Sequence, residues 1–317
     1  MESKEEIEID VSFIVIALNE EANIGLCVKS ILDQDSELSI EVILVDDGST
    51  DETVNTARTA AAGDARLQII ALETNRGRGK ARARGLAEAR GRDIAFVDAD
   101  IQLPSGWLNR CMRDLKAYVA VSGIAVPDGD IAPIVRITKA TPIPTEGSMP
   151  ITGNNVLFQG TVIRHFGFPE NKQGEDFRLA ARIMEAGLSI ASIPSLRVSH
   201  LERKSFSKYL KWMFVSGKDA TQLLIENLIV RKADIAWGLW FTTIGALLTG
   251  IFTWDAVVVE VSLGLNLLAV LGITFLHCLN RFEFRKSKTW LAAYALSVPA
   301  IFCYLIGRTA GLVKRHN

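Results

Sequence analysis

The sequence predicts an α/β domain with a parallel sheet, followed by helices that cross a membrane. Up to about Lys232, short apolar runs alternate with segments of helical periodicity, which is the order expected of a parallel sheet with helical crossovers. Beyond Lys232, residues 236–254, 261–279 and 290–307 contain no Asp, Glu, Lys or Arg. Each run is close to the ~20 residues needed to cross a bilayer, and three such runs in succession exceed what a small core needs.

The first strand and helix have the clearest patterns. The run VSFIVIAL (11–18) is continuously apolar, which is typical of a strand buried on both faces. Ile24, Val28, Ile31 and Leu32 then repeat at helical spacing along one face. The same alternation continues, with strands expected at 41–47, 66–72 and 93–100, and helices expected at 50–62 and at 79–91, the last closed by Gly91.

Composition excludes several classes of protein. Lys and Arg total 35 and Asp and Glu total 36, so the net charge of -1 provides no broad basic surface for nucleic acid. Cys27, Cys111, Cys278 and Cys303 lie far apart without metal-ligand spacing, so we expect neither a zinc site nor a disulfide framework, and a reducing environment for the first part of the chain. The acidic start, MESKEEIEID, has no apolar segment, so no cleavable signal peptide is expected.

Two nucleotide-binding motifs are absent where they would be needed. A dinucleotide-binding fold requires GxGxxG directly after its first strand, whereas here ALNEEANI follows that strand. The glycine-rich residues 77–80 follow the third predicted strand, and their spacing fits neither that motif nor a P-loop.

Polar residues gather where the predicted strands end. Asn19 and Glu20 follow the first strand, Asp47 ends the second, and Asp98 and Asp100 end the fourth. Ligands of open α/β sheets bind outside the carboxyl ends of the strands, so these side chains are expected to share one site.

The stretch AFVDADIQLP (95–104) predicts a divalent cation. Asp98 and Asp100 lie one residue apart in a strand-end turn, so both can approach one Mg²⁺ or Mn²⁺, and Gln102 could add a neutral oxygen. A solvated turn is the alternative interpretation of the same triplet.

Six stretches then carry a resemblance to a known family. ALNEEANI, LVDDGSTDET, NRGRGKARARG, FVDADIQLP, TGNNVLF and GEDFRLAARIMEAG occur in the order found in family 2 glycosyltransferases of the GT-A fold, over roughly residues 10–200. The resemblance implies a Rossmann-like mixed sheet and an inverting enzyme that uses a nucleotide-diphospho-sugar donor.

The resemblance also implies roles for individual residues. Asn19, Glu20, Asp47, Lys80, Asp98 and Ala99 would bind the nucleotide sugar, with Asp47 reading the nucleobase and Lys80 meeting phosphate. Asp98, Asp100 and Gln102 would hold the metal, because the DADIQ run is similar to the DADLQ of dolichol-phosphate-mannose synthases.

Glu175 and Asp176 are the candidate catalytic pair. They open a predicted helix, and acidic residues at that position often do no more than complement the helix dipole. The family's similar ED motif implies that Asp176 is the general base and that Glu175 orients the acceptor. His200 is left open, as a metal ligand, a diphosphate contact or a structural residue.

The chain departs from the dolichol-phosphate-mannose synthases in two places. Those enzymes carry an arginine where this chain has Ile124 and Ala125, and they do not usually have the GED helix found here. The acceptor therefore has two candidates, a saccharide on a lipid carrier or a polyprenyl phosphate.

The C-terminal part is divided into residues 201–232 and 233–317, after a catalytic domain of residues 1–200. Residues 201–232 mix basic with aromatic residues, which suits helices in the headgroup layer or an ordinary amphipathic surface helix. Basic residues flank the first two apolar runs, while Asp255 and Glu260 lie between them, so the flanking ends are expected to be cytoplasmic. The basic residues are Arg231, Lys232, Arg281, Arg285, Lys286 and Lys288.

Three crossings are favoured over two, although the third run could kink or re-enter the membrane. Pro299 lies inside the third run, and Lys314 and Arg315 would fall outside the cell after three crossings.

Together these features predict a multi-pass cell-membrane glycosyltransferase with a cytoplasmic catalytic domain. It would be metal-dependent, would contact membrane lipids, and would transfer sugar to a lipid-linked saccharide. A polyprenyl-phosphate glycosyltransferase is the alternative. A nucleotidyltransferase is disfavoured because the glycine- and lysine-rich first loop is missing, and a non-catalytic membrane scaffold because every expected carboxylate is present.

Overall fold

The computed structural model describes residues 8–128, 153–170, 175–201, 206–227, 232–279 and 290–312. The described residues fall into two compact units, one up to residue 201 and one from residue 206 onward. We describe each unit by itself.

The first unit is built on an eight-stranded mixed sheet. Its spatial order is β3-β2-β1-β4-β7-β6-β8-β5. The strands are β1 (Val11–Ala17), β2 (Ile40–Asp46), β3 (Leu67–Ala71), β4 (Asp93–Asp98), β5 (Ile101–Gln102), β6 (Ala120–Asp128), β7 (Asn155–Phe158) and β8 (Ile190–Leu201).

The parallel half of the sheet is the one that the sequence predicts. Strand β1 pairs in parallel with β2 and with β4, and β2 pairs in parallel with β3. In the other half only β7 and β5 reverse direction, because β7 runs antiparallel to both β4 and β6, and β5 runs antiparallel to β8. Strands β6 and β8 pair in parallel. The sheet is therefore mixed, as the resemblance implies, rather than wholly parallel.

Six helices lie among the described residues of this unit. They are α1 (Ile24–Leu32), α2 (Thr53–Ala61), α3 (Arg78–Glu88), α4 (Trp107–Asp114), α5 (Gly160–Phe166) and α6 (Glu175–Glu185).

The expectation that Gly91 closes the third helix is wrong. Helix α3 ends at Glu88, and Ala89 is already extended. The N–H of Gly91 donates to Ser12 Oγ at 2.7 Å, and a Cβ at this position would lie 2.4 Å from the backbone N of Ser12. The glycine therefore permits close approach of the chain to β1 instead of terminating a helix.

The sheet is packed on both faces. Phe13 and Val15 of β1 contribute to one apolar cluster, which also contains Trp107 of α4 and the buried side of α1. Ile14, between them, contributes to a second cluster with Phe96 of β4 and Leu179 of α6. Since successive side chains of a strand point to opposite faces, the unbroken apolar run of β1 is what a strand covered on both sides requires.

The part of the second unit that the structure describes contains four long helices. They are α7 (Phe206–Asn227), α8 (Lys232–Thr253), α9 (Ala256–Leu279) and α10 (Trp290–Ala310). The expected amphipathic segment 201–232 thus forms one described helix, α7, and Arg203 and Lys204 lie outside the described residues.

Two of these helices are long and apolar enough to cross a membrane. They cover Asp234–Thr253 and Ala256–Cys278, with mean hydropathies of 1.6 and 2.2. Only 17% and 11% of their most apolar stretches are buried within the protein, which argues against core helices of a soluble domain. Among the described residues no third helix meets the same test, although the third apolar run does form α10.

Arg231, Arg281, Arg285, Lys286, Lys288, Lys314 and Arg315 lie outside the described residues.

We expect the packing of α3 on the sheet to be sensitive to one methyl group at Gly85. A Cβ there would lie 2.4 Å from Ile14 Cγ2 and 3.2 Å from Val45 Cγ2, so Gly85→Ala should destabilise the protein by about 1–3 kcal/mol through overpacking. The matched control is Gly25→Ala in α1, whose Cβ would meet only ordinary contacts at 3.4 and 3.6 Å. That change should be neutral or should stabilise by up to about 1 kcal/mol, because alanine is the better helix former. Thermal unfolding of both full-length variants tests this, and equal melting temperatures would contradict it.

Candidate active site

A cleft lies at the carboxyl ends of the parallel strands. Its volume is about 380 Å³, and it is open to solvent on one side. Strand β1 contributes its end, and the segments directly after β2 and β4 contribute Asp47 and the turn from Asp98 to Asp100. The lining residues are Ile16, Ala17, Leu18, Glu20, Asp47, Asn75, Gly77, Arg78, Ala81, Asp98, Ala99 and Asp100.

The loop after β1 is fastened to the loop after β2. Asn19 has a left-handed backbone, with φ of 54°, and its side-chain oxygen accepts the N–H of Thr50 at 2.9 Å. The N–H of Glu20 donates to Thr53 Oγ1 at 2.8 Å, and the Glu20 carboxylate accepts from Asn23 Nδ2. Asn19 is exposed and is not among the lining residues, so it shapes the rim while Glu20 faces the cleft.

Asp47 holds the loop between β3 and α3. Its two carboxylate oxygens accept the backbone N–H groups of Arg76 and Gly77 at 2.7 and 2.9 Å. Asp47 is buried but still lines the cleft. The carboxylate that the resemblance assigns to nucleobase reading is therefore already fixed in position by two backbone donors.

The turn after β4 brings the two aspartates and His200 together. Asp98 ends β4, and the N–H of Ala99 donates to Ile16 O at 3.1 Å, which fixes the turn against β1. Asp100 Oδ2 lies 2.9 Å from His200 Nε2, because the pairing of β5 with β8 sets Ile101 opposite His200.

Arg82 is the buried cation of the site. It is only 2% exposed, and its Nη2 donates to Asp98 Oδ1 at 2.6 Å. Its Nη1 donates to Glu175 Oε1, and its guanidinium stacks over the ring of Phe168 at 5.1 Å from the centroid. One side chain of α3 thus joins the carboxylate that ends β4 to the carboxylate that begins α6.

Glu175 and Asp176 begin α6, as the sequence predicts. Glu175 is buried against Arg82, whereas Asp176 is half-buried and its Oδ2 accepts the N–H of Gly153 at 3.3 Å. Glu175 and Asp176, the candidate catalytic pair, are therefore connected to the cleft through Arg82, and the Asp176 carboxylate is the more accessible of the two.

Burial and mutual repulsion perturb the carboxyl groups of the cleft. Burial, with the nearby Asp100 and Asp98, raises the pKa of Glu20 to about 7. Burial also raises the pKa of Asp98 and that of Glu175, in both cases against the opposing effect of Arg82. Negative charge at this edge of the sheet is therefore costly without a further cation.

The arrangement bears on the predicted metal site. Among the described residues there is no group of three or more Cys, His, Asp and Glu side chains that could hold a metal ion. Burial and the proximity of Asp100 and Asp98 raise the pKa of Glu20, and this crowding of carboxylates nevertheless fits the addition of a divalent cation at this edge. Ile101 and Leu103 are buried in the core, so strand alternation directs Gln102 away from it.

The structure brings some of the predicted residues together and leaves others apart. Glu20, Asp47, Asp98, Ala99 and Asp100 line the cleft. Lys80 is exposed and, like Gln102, is not among the lining residues. The roles given to all of these residues stay predictions.

Sequence reasoning missed Arg78 and Arg82. Arg78 lines the cleft where Lys80 was expected, and Arg82 lies one turn further along the same helix. The signal was present, because the buried face of α3 carries the small residues Gly79, Ala81 and Gly85, and Arg82 falls on that face.

Comparisons with known proteins agree on one family. Residues 12–168 match the family described as Glycosyl transferase family 2. Over 228 residues, the chain is 32% identical to the succinoglycan biosynthesis protein ExoO of Rhizobium meliloti (strain 1021). The aligned region covers 64% of this chain and 64% of that protein, so the chain spans less than two thirds of the relative's length.

Solved structures share the fold. The mannosyltransferase PcManGT from Pyrobaculum calidifontis, in complex with GDP-Man and Mn²⁺, has a TM-score of 0.62 and 20% identity, covering 96% of this chain and 88% of that one. S. aureus TarS 1-349, in complex with UDP-GlcNAc, has a TM-score of 0.52 and 18% identity, covering 95% of this chain and 91% of that one. At these identities the likeness shows the fold alone.

We expect the raised pKa of Glu20 to make stability depend on pH. The folded protein holds this proton up to about pH 7, whereas the unfolded chain releases it near 4.5, so stability should fall as the pH rises between these values. Glu20→Gln has no proton to release on unfolding. The melting temperature of the variant should therefore exceed that of the parent by more at pH 8 than at pH 5. Glu73→Gln, at an exposed glutamate after β3, is the matched control for loss of one charge. A Glu20→Gln difference of the same size at both pH values would contradict the prediction.

Proposed function

Because residues 12–168 identify the chain as a member of glycosyl transferase family 2, we propose that it transfers a sugar from a nucleotide-diphospho-sugar to a saccharide carried on a lipid, with inversion at the anomeric carbon. The observation that carries the proposal is the cleft at the strand ends, connected through Arg82 to the Glu175–Asp176 pair. A donor bound in the cleft would thereby lie beside a carboxylate able to accept a proton.

The donor half of the proposal is supported by the position and chemistry of the cleft. It opens at the carboxyl ends of parallel strands, where open α/β sheets bind their ligands. Arg78 lines it and offers a guanidinium, which suits the bidentate recognition of a diphosphate. The two solved structures with this fold contain donors with different bases and sugars, GDP-Man and UDP-GlcNAc.

A divalent cation, Mg²⁺ or Mn²⁺, would be held by Asp98 and Asp100, with Gln102 as a third ligand. When bound, it would neutralise charge on the diphosphate leaving group. The described carboxylates do not by themselves form a closed metal site, so the remaining ligands would come from the donor phosphates, as is usual for Mg²⁺. His200 would orient Asp100 through their contact at 2.9 Å.

The part of the proposal that concerns the acceptor depends on Asp176. A sugar hydroxyl is a weak nucleophile until a base removes its proton, and Asp176 is the more exposed member of the pair that begins α6. Glu175 is committed to Arg82, so its role would be to hold the start of α6 and the guanidinium in place.

The acceptor and the location follow from the membrane helices and from ExoO. The name of that relative refers to the biosynthesis of a polysaccharide, succinoglycan. The two apolar helices would anchor the chain in the cell membrane, with the catalytic domain on the cytoplasmic side, where nucleotide sugars are available.

A polyprenyl phosphate is the second candidate acceptor. The DADIQ run (98–102) favours it through its similarity to the run of dolichol-phosphate-mannose synthases. The two candidates differ in chemistry, because a phosphate oxygen is already charged and needs no base.

Asp176→Asn should separate the two acceptors. If the acceptor is a sugar hydroxyl, the variant keeps the shape of the site but cannot take the proton, so single-turnover transfer should fall by about 10²–10⁴-fold with unchanged nucleotide affinity. Glu185→Gln, exposed near the end of the same helix, is the control and should keep full activity. A loss of less than about tenfold would contradict the role of general base and favour the phosphate acceptor.

Asp100→Ala should test the metal. The cation would lose a charged ligand, so transfer should be abolished while the melting temperature stays close to that of the parent. A titration with Mn²⁺ should show weakened metal-dependent binding of a nucleoside diphosphate. Full transfer by this variant, or by the parent in excess chelator, would remove the cation from the proposal. Absence of transfer by the parent with every donor and cation would instead favour a scaffold.

A further inference from the structure

Helices α8 and α9 form a close antiparallel hairpin, and their contacts show which residues of the two helices lie side by side. Trp240 Nε1 donates to Asn266 Oδ1 at 3.4 Å, and Asn266 Nδ2 donates to Thr243 Oγ1 at 3.0 Å. Nearer the turn, Gly250 lies against Val258, where a Cβ would be 2.9 Å from Val258 Cγ1. The start of α8 and the end of α9 thus lie together at the open end of the hairpin, and residues 254–255 form its tip.

The described contacts that fix the path of helix α10 lie near the open end of this hairpin. Tyr294 Oη donates to Leu271 O at 2.9 Å. The ring of Phe302 lies 6.5 Å from that of Trp240.

The C-terminal end of α10 contacts the start of α8, again near the open end of the hairpin. Arg308 Nη2 lies 2.5 Å from Asp234 Oδ1, and the Arg308 guanidinium lies 4.9 Å from the centroid of the Trp237 ring. Both Arg308 and Asp234 are buried.

These contacts fix the direction of α10. From Tyr294 to Arg308 the helix advances by about 21 Å. The residues of the hairpin that α10 contacts all lie beside residues 234 to 240 of α8. This stretch of α8 spans only about 9 Å along the hairpin. A third crossing that began at the open end would bring Arg308 to the level of Gly250, near the tip. Instead α10 passes across the open end of the hairpin.

Helix α7 runs beside α10 and packs against it. Gly307 and Gly311 of α10 form a small-xxx-small pair, and a Cβ at either would lie 1.9 and 2.7 Å from the backbone oxygens of Phe214 and Lys218. Gly217 approaches Tyr304 O equally closely. The two helices are therefore packed backbone to backbone, and they share the buried cluster with Trp240 and Val270.

The hairpin itself exposes apolar side chains over its whole length. Ile235 is 58% exposed and Leu239 65% near the open end, and Phe252 is 86% exposed near the tip. From Ile235 to Trp254 the helix covers about 29 Å, which is close to the thickness of a bilayer core. Trp254 and Asp255 at the tip are a pair suited to the far interface, because tryptophan favours that level and a carboxylate requires water.

We propose that the chain crosses the bilayer twice, through α8 and α9, and that α10 lies with α7 along the membrane surface at the open end of the hairpin. The partner of the outer face of this layer is the lipid headgroup region. Lys208, Lys211 and Trp212 of α7 are exposed, and they offer cations to lipid phosphate and an indole to the interface. The C-terminus then lies on the same side as residue 206, where α7 begins. The inference rests on the membrane attachment proposed above.

The test uses the full-length chain with single cysteines at the positions that decide the topology. Trp254→Cys reports the tip of the hairpin, Asn317→Cys the C-terminus, and Glu73→Cys an exposed site of the catalytic domain. Cys303, the described native cysteine that is not buried, is replaced by serine in every variant, and that background is the labelling control. Intact and permeabilised cells are treated with a membrane-impermeant maleimide, after carbonate extraction has shown that each variant stays in the membrane.

We expect Trp254→Cys to be labelled in intact cells, and Asn317→Cys and Glu73→Cys only after permeabilisation. Labelling of Asn317→Cys together with Trp254→Cys in intact cells would overturn the proposal, because α10 would then cross. Protection of all three positions would overturn it as well, because the hairpin would not reach the far side. The reverse pattern, with Trp254→Cys alone protected, would keep two crossings and overturn only the cytoplasmic orientation. Release by carbonate would overturn the membrane attachment itself.

Discussion

The site depends on one buried guanidinium. Arg82 lies between Asp98 and Glu175, and a charge removed from water in this way is tolerated only with partners that hydrogen-bond to it. Loss of either partner would leave buried guanidinium N–H groups without their acceptor, so the strand that ends at Asp98 and the helix that begins at Glu175 are constrained to each other. The separation between the donor cleft and the candidate base is therefore set by the dimensions of one arginine side chain. Arg82 therefore fixes both the donor cleft and the candidate base of the proposed reaction.

The parallel half of the fold could be predicted from the sequence because its signals are local. The continuous apolar run of β1 and the polar residues that follow β1, β2 and β4 are each visible within about ten residues. The rule for ligand sites in open sheets then brings Glu20, Asp47 and Asp98 together. The positions of β5 to β8 could not be predicted in the same way, because those strands pair across long separations and in both directions.

The arginines of α3 were missed because helical periodicity was not applied to that segment. Arg78 and Arg82 are four residues apart and share a face of α3, whereas Lys80 lies between them and turns toward solvent. Helix α10 gives a second case. Its composition resembles that of a membrane span, but its path is set by the Arg308–Asp234 pair and by the glycines packed against α7. Those contacts arise between distant segments, and hydropathy along the chain does not record them.

The distance along the chain between the two partners of Arg82 has a consequence for biosynthesis. Asp98 follows Arg82 by 16 residues, but Glu175 follows it by 93. At the usual rate of translation, about 5–20 residues per second, the second carboxylate emerges from the ribosome roughly 5–20 s after the arginine. During that interval the first four strands can assemble on a ribosome-bound chain, while one side of the guanidinium still faces water. The arrival of β7 beside β4, followed by α6, then encloses the guanidinium, and β8, which brings His200 to Asp100, emerges after them. The last elements of this domain to be synthesised are therefore the ones that complete its candidate active site.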